Sequence, residues 1–271
     1  MASMKWIVQE FLNKNENVER MKKALEQEKS PFLFVRINAD NSLTVLDKDS
    51  RLPLENSEVI LTSFLAEGDI TGYGSKTLAL IMESLSIYPG SFLNPRFEMD
   101  VIRDAIGEEL LNNSFSIGEL QELNPSFESF FIRPTGNTKL FTGMCLSKAD
   151  FLQWKEREKR PGSPYEGQLL MISEEKSIQE EYRFFVINGE VITGSSYQIN
   201  GEANQSLIPT SEVWEYAQGM VNRFDLATAF VIDVGKTAEG MKVIEYNNFN
   251  TSGLYQCDEV RIVRAMENYK R

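Results

Sequence analysis

Histidine is absent from this chain and cysteine nearly so, and each absence closes off a group of mechanisms. Without an imidazole there is no serine–histidine or cysteine–histidine catalysis, and no histidine-ligated metal. Cys145 and Cys257 stand alone, without the paired spacing of a zinc or redox motif, and read as small buried or partly buried thiols. No apolar run approaches the ~20 residues needed to span a bilayer. Met1 to Lys5 lack the basic and apolar regions of a signal peptide, so a cytoplasmic location is the expectation. Any acid, base or metal chemistry falls to Asp, Glu, Lys, Arg, Tyr and amides.

What is abundant is negative charge. Lys and Arg total 28 against 40 Asp and Glu, a formal net charge of -12. Such a surface repels a phosphate backbone, which argues against general nucleic-acid binding. A nucleotide can still bind where a few cations converge in one cleft. With 42% hydrophobic and 25% charged residues over 271 positions, the chain has the mix of a soluble globular protein. That length buries a core without disulfide or structural metal, as one large domain or two small ones.

Along the chain, Lys5 to Gln9 reads as a short strand, and Glu16 to Glu28 places Val18, Met21, Ala24 and Leu25 at helical spacing. Pro31 ends that helix, Phe32 to Arg36 is the next strand, and Glu58 to Thr62 is expected as a third. Tyr73-Gly74-Ser75-Lys76-Thr77 leads into a helix over Leu78 to Leu85, with a helix cap and an anion-binding turn both open. This alternation is that of a small open α/β layer. Gly90 to Asn124 reads as a helical, asparagine-rich connector, with a boundary near residue 115 dividing 1–115 from 116–271.

The second part is richer in strands. Phe130 to Arg133 is one, with Leu140 to Thr142 expected to pair back on it. A helix over Lys148 to Arg160 and a strand over Gln168 to Ser173 follow. Tyr182 to Ile187 and Val191 to Tyr197 form a hairpin across Asn188-Gly189, a pair that accepts positive φ cheaply. Ser211 to Phe224 is a helix with Ser211 as N-cap. Ala229 to Val234 and Met241 to Tyr246 are strands, and a helix over Asp258 to Tyr269 closes the chain.

The strongest chemical constellation lies in the last two strands. Glu245 and Asn247, two apart, point the same way, and Asp233 meets them if the strands pair around Lys236 to Gly240. Two carboxylates and an amide oxygen make a hard donor set suited to magnesium carrying nucleotide phosphates. A polar, solvated sheet face is the plainer alternative. Arg133 and Lys139 flank a Gly136-containing turn and suit a triphosphate, though cations at strand ends are commonly just solvated. Arg183 alternates with Phe184 and Val186 and could grip a phosphate or carboxylate bidentately, or simply pair with a nearby Glu. Glu174 and Glu181 flank a segment able to hold a ribose, and read alone as surface acids.

The lines FFIRPTGNTKLFTG, EEYRFFVINGEVITGSSY and VIDVGKTAEGMKVIEYNNFNTSG resemble the ATP-grasp superfamily. Within it they are similar to the phage and bacterial clade named for two arginines and a lysine. KWIVQEF and YGSKTLA are similar to the pre-ATP-grasp domain that precedes it. The resemblance implies an α/β (α+β) ATP-grasp fold behind an N-terminal α/β domain, with two subdomains clamping ATP. It implies phosphate contacts from Lys139 and Arg133, the latter in place of a commoner lysine. It implies backbone contacts to adenine from Met171, Ile172 and Ser173, with Glu174 or Glu181 near the ribose. Arg183 and Lys139 would take catalytic roles. Asp233, Glu245 and Asn247 would hold magnesium, with manganese as an alternative. A homodimer, and the host cytoplasm for a phage-encoded chain, are expectations of the same kind.

The activity implied is carboxylate–amine ligation through an acyl phosphate, on a small molecule, peptide or protein. No protein nucleophile is needed, in keeping with the missing histidine. Two alternatives stand beside it. One is a nucleotidyltransferase-type RNA ligase with Lys139 adenylated, against which the absent lysine-Asp-Gly signature argues. The other is a non-catalytic nucleotide-binding module, which would have little use for the acidic cluster.

Overall fold

Alternating apolar residues and tight turns divide the chain among three sheets. The computed structural model describes residues 3–11, 16–66, 68–88, 90, 94–136 and 140–269. The N-terminal part runs β1 (Lys5–Gln9), α1 (Glu16–Glu28), β2 (Phe32–Ile37), β3 (Leu43–Leu46), α2 (Ser57–Leu65), β4 (Ile70–Tyr73) and α3 (Lys76–Ser84). The middle part runs α4 (Met99–Ile106), β5 (Phe115–Glu119), β6 (Ser129–Pro134), β7 (Met144–Ser147), α5 (Lys148–Arg157) and β8 (Leu169–Glu174). The last part runs β9 (Glu180–Ile187), β10 (Glu190–Ile199), β11 (Glu202–Ala203), α6 (Ser211–Arg223), β12 (Ala229–Thr237), β13 (Gly240–Asn248) and α7 (Glu259–Met266).

The N-terminal sheet has the order β3-β2-β1-β4, with β1 parallel to both β2 and β4. Both faces are covered, as parallel strands require. Trp6, Val8 and Phe34 pack under α1 and α7, while Ile7, Val35 and Ile70 pack against Leu78 and Met82 of α3 and Leu61 and Phe64 of α2. The segment Glu58 to Thr62, expected as a strand, lies inside α2. Its β-branched residues favour a strand locally. Apolar side chains at Leu61, Phe64 and Leu65 recur at helical spacing and dock on the sheet, and tertiary packing overrides propensity.

The middle sheet has the order β5-β8-β6-β7. One face, carrying Phe130, Ile132, Leu170 and Ile172, is sealed by Phe151 and Trp154 of α5. Phe130 and Phe151 meet edge to face at 5.3 Å. The strand that returns on β6 is Met144–Ser147, not Leu140 to Thr142, so a longer loop follows Pro134. The expected helical connector also yields a strand, since Phe115 to Glu119 pairs with β8.

The C-terminal sheet has the order β11-β10-β9-β12-β13. Asn188 and Gly189, with φ of 55° and 78°, turn β9 into β10 as the sequence suggests. One face, with Phe184, Val186, Phe230, Ile232 and Tyr246, forms a core with α4 and α6. The helix α6 is capped by Thr210, whose hydroxyl accepts from Val213 N, rather than by Ser211. On the other face Phe185, Ile187 and Val231 join the N-terminal core. Beyond them that face turns polar.

Gly194 on β10 marks a close approach, since a Cβ there would lie 2.2 Å from Cδ1 of the fully buried Phe184. Gly194→Ala is expected to cost about 1–3 kcal/mol through overpacking. A fall in the urea midpoint at constant slope would register it, and an unchanged midpoint would refute it.

Candidate active site

The polar end of the C-terminal sheet is built by strand register. Asp233 on β12 stands opposite Arg183 on β9 and opposite Glu245 on β13. Arg183 Nε and Nη2 donate to Asp233 Oδ1 and Oδ2 at 2.8 and 2.7 Å, a bidentate pair buried on both sides. Asn247 Nδ2 donates to Asp233 Oδ2 at 3.0 Å and to Glu245 Oε1 at 2.7 Å. From the facing middle sheet, Arg133 of β6 reaches across and pairs with Glu245 at 2.6 Å. The three proposed metal ligands therefore share one face, with both arginines beside them.

Two β-bulges aim further side chains at this place. On β13 the register slips between its pairings with Asp233 and Val234, leaving Ile244 as the extra residue. Val243 is buried in the core while Glu245, two residues on, faces the cleft. On β10 the second of two slips falls at Tyr197. Bulges next to sites commonly re-aim side chains in this way. Tyr197 stacks on Tyr255 at 5.0 Å and 12°, and the Arg183 guanidinium lies 5.6 and 5.0 Å from the two rings. Tyr255 holds this position with φ of 48°, in the left-handed region that a bulky residue rarely adopts. Arg183 Nη1 also donates to Gly253 O at 3.4 Å, so little freedom is left to this side chain.

The two sheets enclose a cleft of about 600 Å³. Toward Val243 its lining is mostly apolar, with Leu111, Ile178 and Ile244 beside Asn112 and Lys176. Its middle holds Arg133, Arg183, Asp233, Glu245 and Asn247, and its other end is the segment Thr251 to Tyr255. That segment is tied to the N-terminal sheet. Asn250 Nδ2 donates to Gly72 O at 2.7 Å, Gly74 N to Asn250 O at 2.9 Å and Tyr73 Oη to Ser252 O at 2.9 Å. Ser75 caps α3, its Oγ accepting from Leu78 N, so the Gly74–Thr77 turn serves as a cap and docking point.

Burial dominates the electrostatics. It pushes the Asp233 carboxyl above the ordinary carboxylate range, Arg183 pulls it back, and neighbouring Glu245 adds to the rise. Burial opposes the charge of Arg183 as well, but Asp233 holds it firmly cationic, above its ordinary pKa. Glu181, which accepts from Tyr197 Oη at 2.6 Å, is raised chiefly by burial.

Magnesium fits the chemistry of this face. Asp233, Glu245 and Asn247 offer only oxygen donors, and a magnesium ion that keeps waters and phosphate oxygens needs few protein ligands. Among the described residues no group of three or more His, Cys, Asp or Glu is placed to hold a metal ion.

Several expected site residues fall elsewhere. Met171, Ile172 and Ser173 lie on β8, an interior strand paired to β5 on one side and β6 on the other. Their backbone groups are engaged in the ladders, so the backbone role expected toward adenine does not suit them. The Met171 side chain lies in the core, and Ser173 faces the C-terminal sheet on the same side as Phe131. Glu174 is exposed and paired with Lys176, whereas Glu181 lines the cleft. Lys139 lies outside the described residues. Sequence reasoning did not single out Asn112, Tyr197 or Tyr255; Tyr197 closes the line EEYRFFVINGEVITGSSY without a signal of its own, and Tyr197 and Tyr255 arrive through a bulge and a left-handed residue.

Cys145 is exposed at the cleft rim, contrary to its expected burial. Partial desolvation and the Glu175 carboxylate push its thiol up to about 11. Alkylation by iodoacetamide is therefore expected to be slow at pH 7.5 and to accelerate as pH climbs toward 11, because the thiolate is the nucleophile. Glu175→Gln should speed labelling at neutral pH, and an unchanged rate would remove Glu175 as a cause.

Two antiparallel sheets facing each other across a cleft are the arrangement of the ATP-grasp fold. The sequence profile described as ATP-grasp domain, R-two-K clade family 3, matches residues 99–266, and the chain belongs to that family. In structure it is similar to the D-alanine-D-alanine ligase of Coxiella burnetii, with TM-score 0.63 and 9% identity over 98% of this chain and 94% of that one. The D-alanine–D-alanine ligase of Bacillus anthracis gives 0.62 and 12% identity over 99% and 96%. D-cycloserine synthetase DcsG gives 0.60 and 9% over 98% and 99%. At such identities the likeness is one of fold. No curated protein matches the chain in sequence. Among the described residues, no helix is long and apolar enough to cross a membrane.

Proposed function

We propose that this chain is an ATP-dependent carboxylate–amine ligase working through an acyl phosphate. The observation that carries the reading is the single sheet face holding Arg183, Asp233, Glu245 and Asn247 opposite Arg133. In this reading the adenine lies at the apolar end, Glu181 stands near the ribose and the triphosphate runs toward Arg133 and Arg183. Lys139 belongs to the same reading as a further phosphate contact. Asp233, Glu245 and Asn247 would hold magnesium, which when bound supplies positive charge beside the phosphates.

A substrate carboxylate at the Thr251 to Tyr255 end attacks the γ-phosphorus, and ADP leaves. An amine then attacks the acyl carbon, loses a proton and expels phosphate. Arg183, locked by Asp233 and the tyrosine pair, is a fixed guanidinium beside the developing negative charge, which preorganises the site. Donor and acceptor belong to amino acids, peptides or a protein terminus, the class to which the named substrates of the structural relatives belong.

Hydroxylamine trapping tests this directly. With ATP, magnesium and a panel of amino acids and dipeptides, one acid should yield a hydroxamate together with ADP and phosphate. Release of AMP and pyrophosphate, or an AMP adduct on the chain by mass spectrometry, would replace ligation by nucleotidyl transfer.

A further inference from the structure

With the β8 backbone engaged on both sides, the base must be read by something else, and the cleft offers a specific candidate. Asn112 lies in the turn between α4 and β5, and Leu111 N, next to it, donates to Val243 O at 2.8 Å. Its side chain lines the apolar end of the cleft and is 7% exposed. Oδ1 is fully buried and has no hydrogen-bond partner. Ser173 Oγ, on the side of β8 shared with Phe131, is likewise buried without a partner. Buried polar groups are rarely left unpaired, and an orphan in a ligand cleft calls for a ligand group.

We propose that Asn112 is the residue that selects adenine over 6-oxopurines, an inference that rests on the ATP reading above. A carboxamide presents an acceptor beside a donor, and adenine presents the complementary pair, its 6-amino group beside a ring nitrogen. With the amide oriented as it stands, a 6-oxopurine would bring a carbonyl against the buried Oδ1, leaving both acceptors unpaired. The strand geometry agrees with this placement. Val243 stands two residues before Glu245 and four before Asn247, so at ~3.3 Å per residue the base end lies roughly 7–13 Å from the acid–amide face.

Titration calorimetry of the whole chain with magnesium and either ATP or ITP tests this. The wild type should bind ATP at least tenfold more tightly than ITP. Asn112→Leu should bring the two within threefold by weakening ATP alone. Its melting temperature should stay level or rise, because the change removes a buried orphan without opening a cavity. Should that variant fold poorly, Asn112→Ala answers the same question. An ATP:ITP ratio unaltered by either substitution, or a wild type that does not distinguish the two, overturns the role of Asn112 and leaves the ligase reading standing. A wild type that binds neither nucleotide overturns both.

Discussion

Asp233→Ala is expected to cost about 3–5 kcal/mol of stability as well as all measurable ATP turnover, because it strands a buried guanidinium. Arg183 is 8% exposed and Asp233 is 0% exposed, and the carboxylate takes two of the guanidinium's hydrogen bonds. Without it the arginine keeps a 3.4 Å contact to Gly253 O and the faces of two tyrosines, which do not neutralise it. Were Asp233 only a metal ligand in an open cleft, the same change would be neutral for the fold. Chemical denaturation separates the two views. A midpoint equal to that of the wild type would mean that Arg183 finds solvent on its own. Arg183→Met with Asp233→Asn should recover most of the lost stability and none of the turnover, since charge burial and catalysis are then separated.

Glu245→Gln should do the opposite. Its side chain is 27% exposed and pairs at 2.6 Å with Arg133, which is 12% exposed, and glutamine keeps an oxygen able to accept from that guanidinium. The expected stability change is at most about 1 kcal/mol. Turnover with the substrate identified by hydroxamate trapping should nonetheless fall about 10²–10³-fold, the scale seen when one preorganised electrostatic contact is removed. ADP release at the wild-type rate would take Glu245 out of the acid–amide set. Together the pair of substitutions distinguishes a side chain that holds the fold from one that serves only the cleft.

Much of this could be read in the residues. The hairpin at Asn188-Gly189, the pairing of β12 with β13 and the common face of Asp233, Glu245 and Asn247 all follow from local rules: a turn that tolerates positive φ, and period-2 alternation. The losses have equally local causes. Val59, Ile60 and Thr62 have strand propensity, but Leu61, Phe64 and Leu65 form a helical stripe that only the N-terminal sheet explains. Gln168 to Ser173 was legible as a strand, yet its interior position in the sheet was not, because pairing partners on both sides come from distant segments. Asn112 carries no signal at all in isolation. Its meaning depends on Val243, more than a hundred residues away, which brings its turn to the cleft.

The extra residue at Ile244 divides β13 into two halves that are out of phase. Upstream, odd-numbered Val243 belongs to the oily interior; downstream, odd-numbered Glu245 and Asn247 line the cleft. Excising that one isoleucine would make Val243 and Glu245 neighbours, and strict alternation would still send them to opposite sides. Ironing the kink flat with every residue retained is the damaging change. It would roll the acid and the amide into grease and deliver Tyr246 to the cleft side, dismantling that face without altering one letter of the composition.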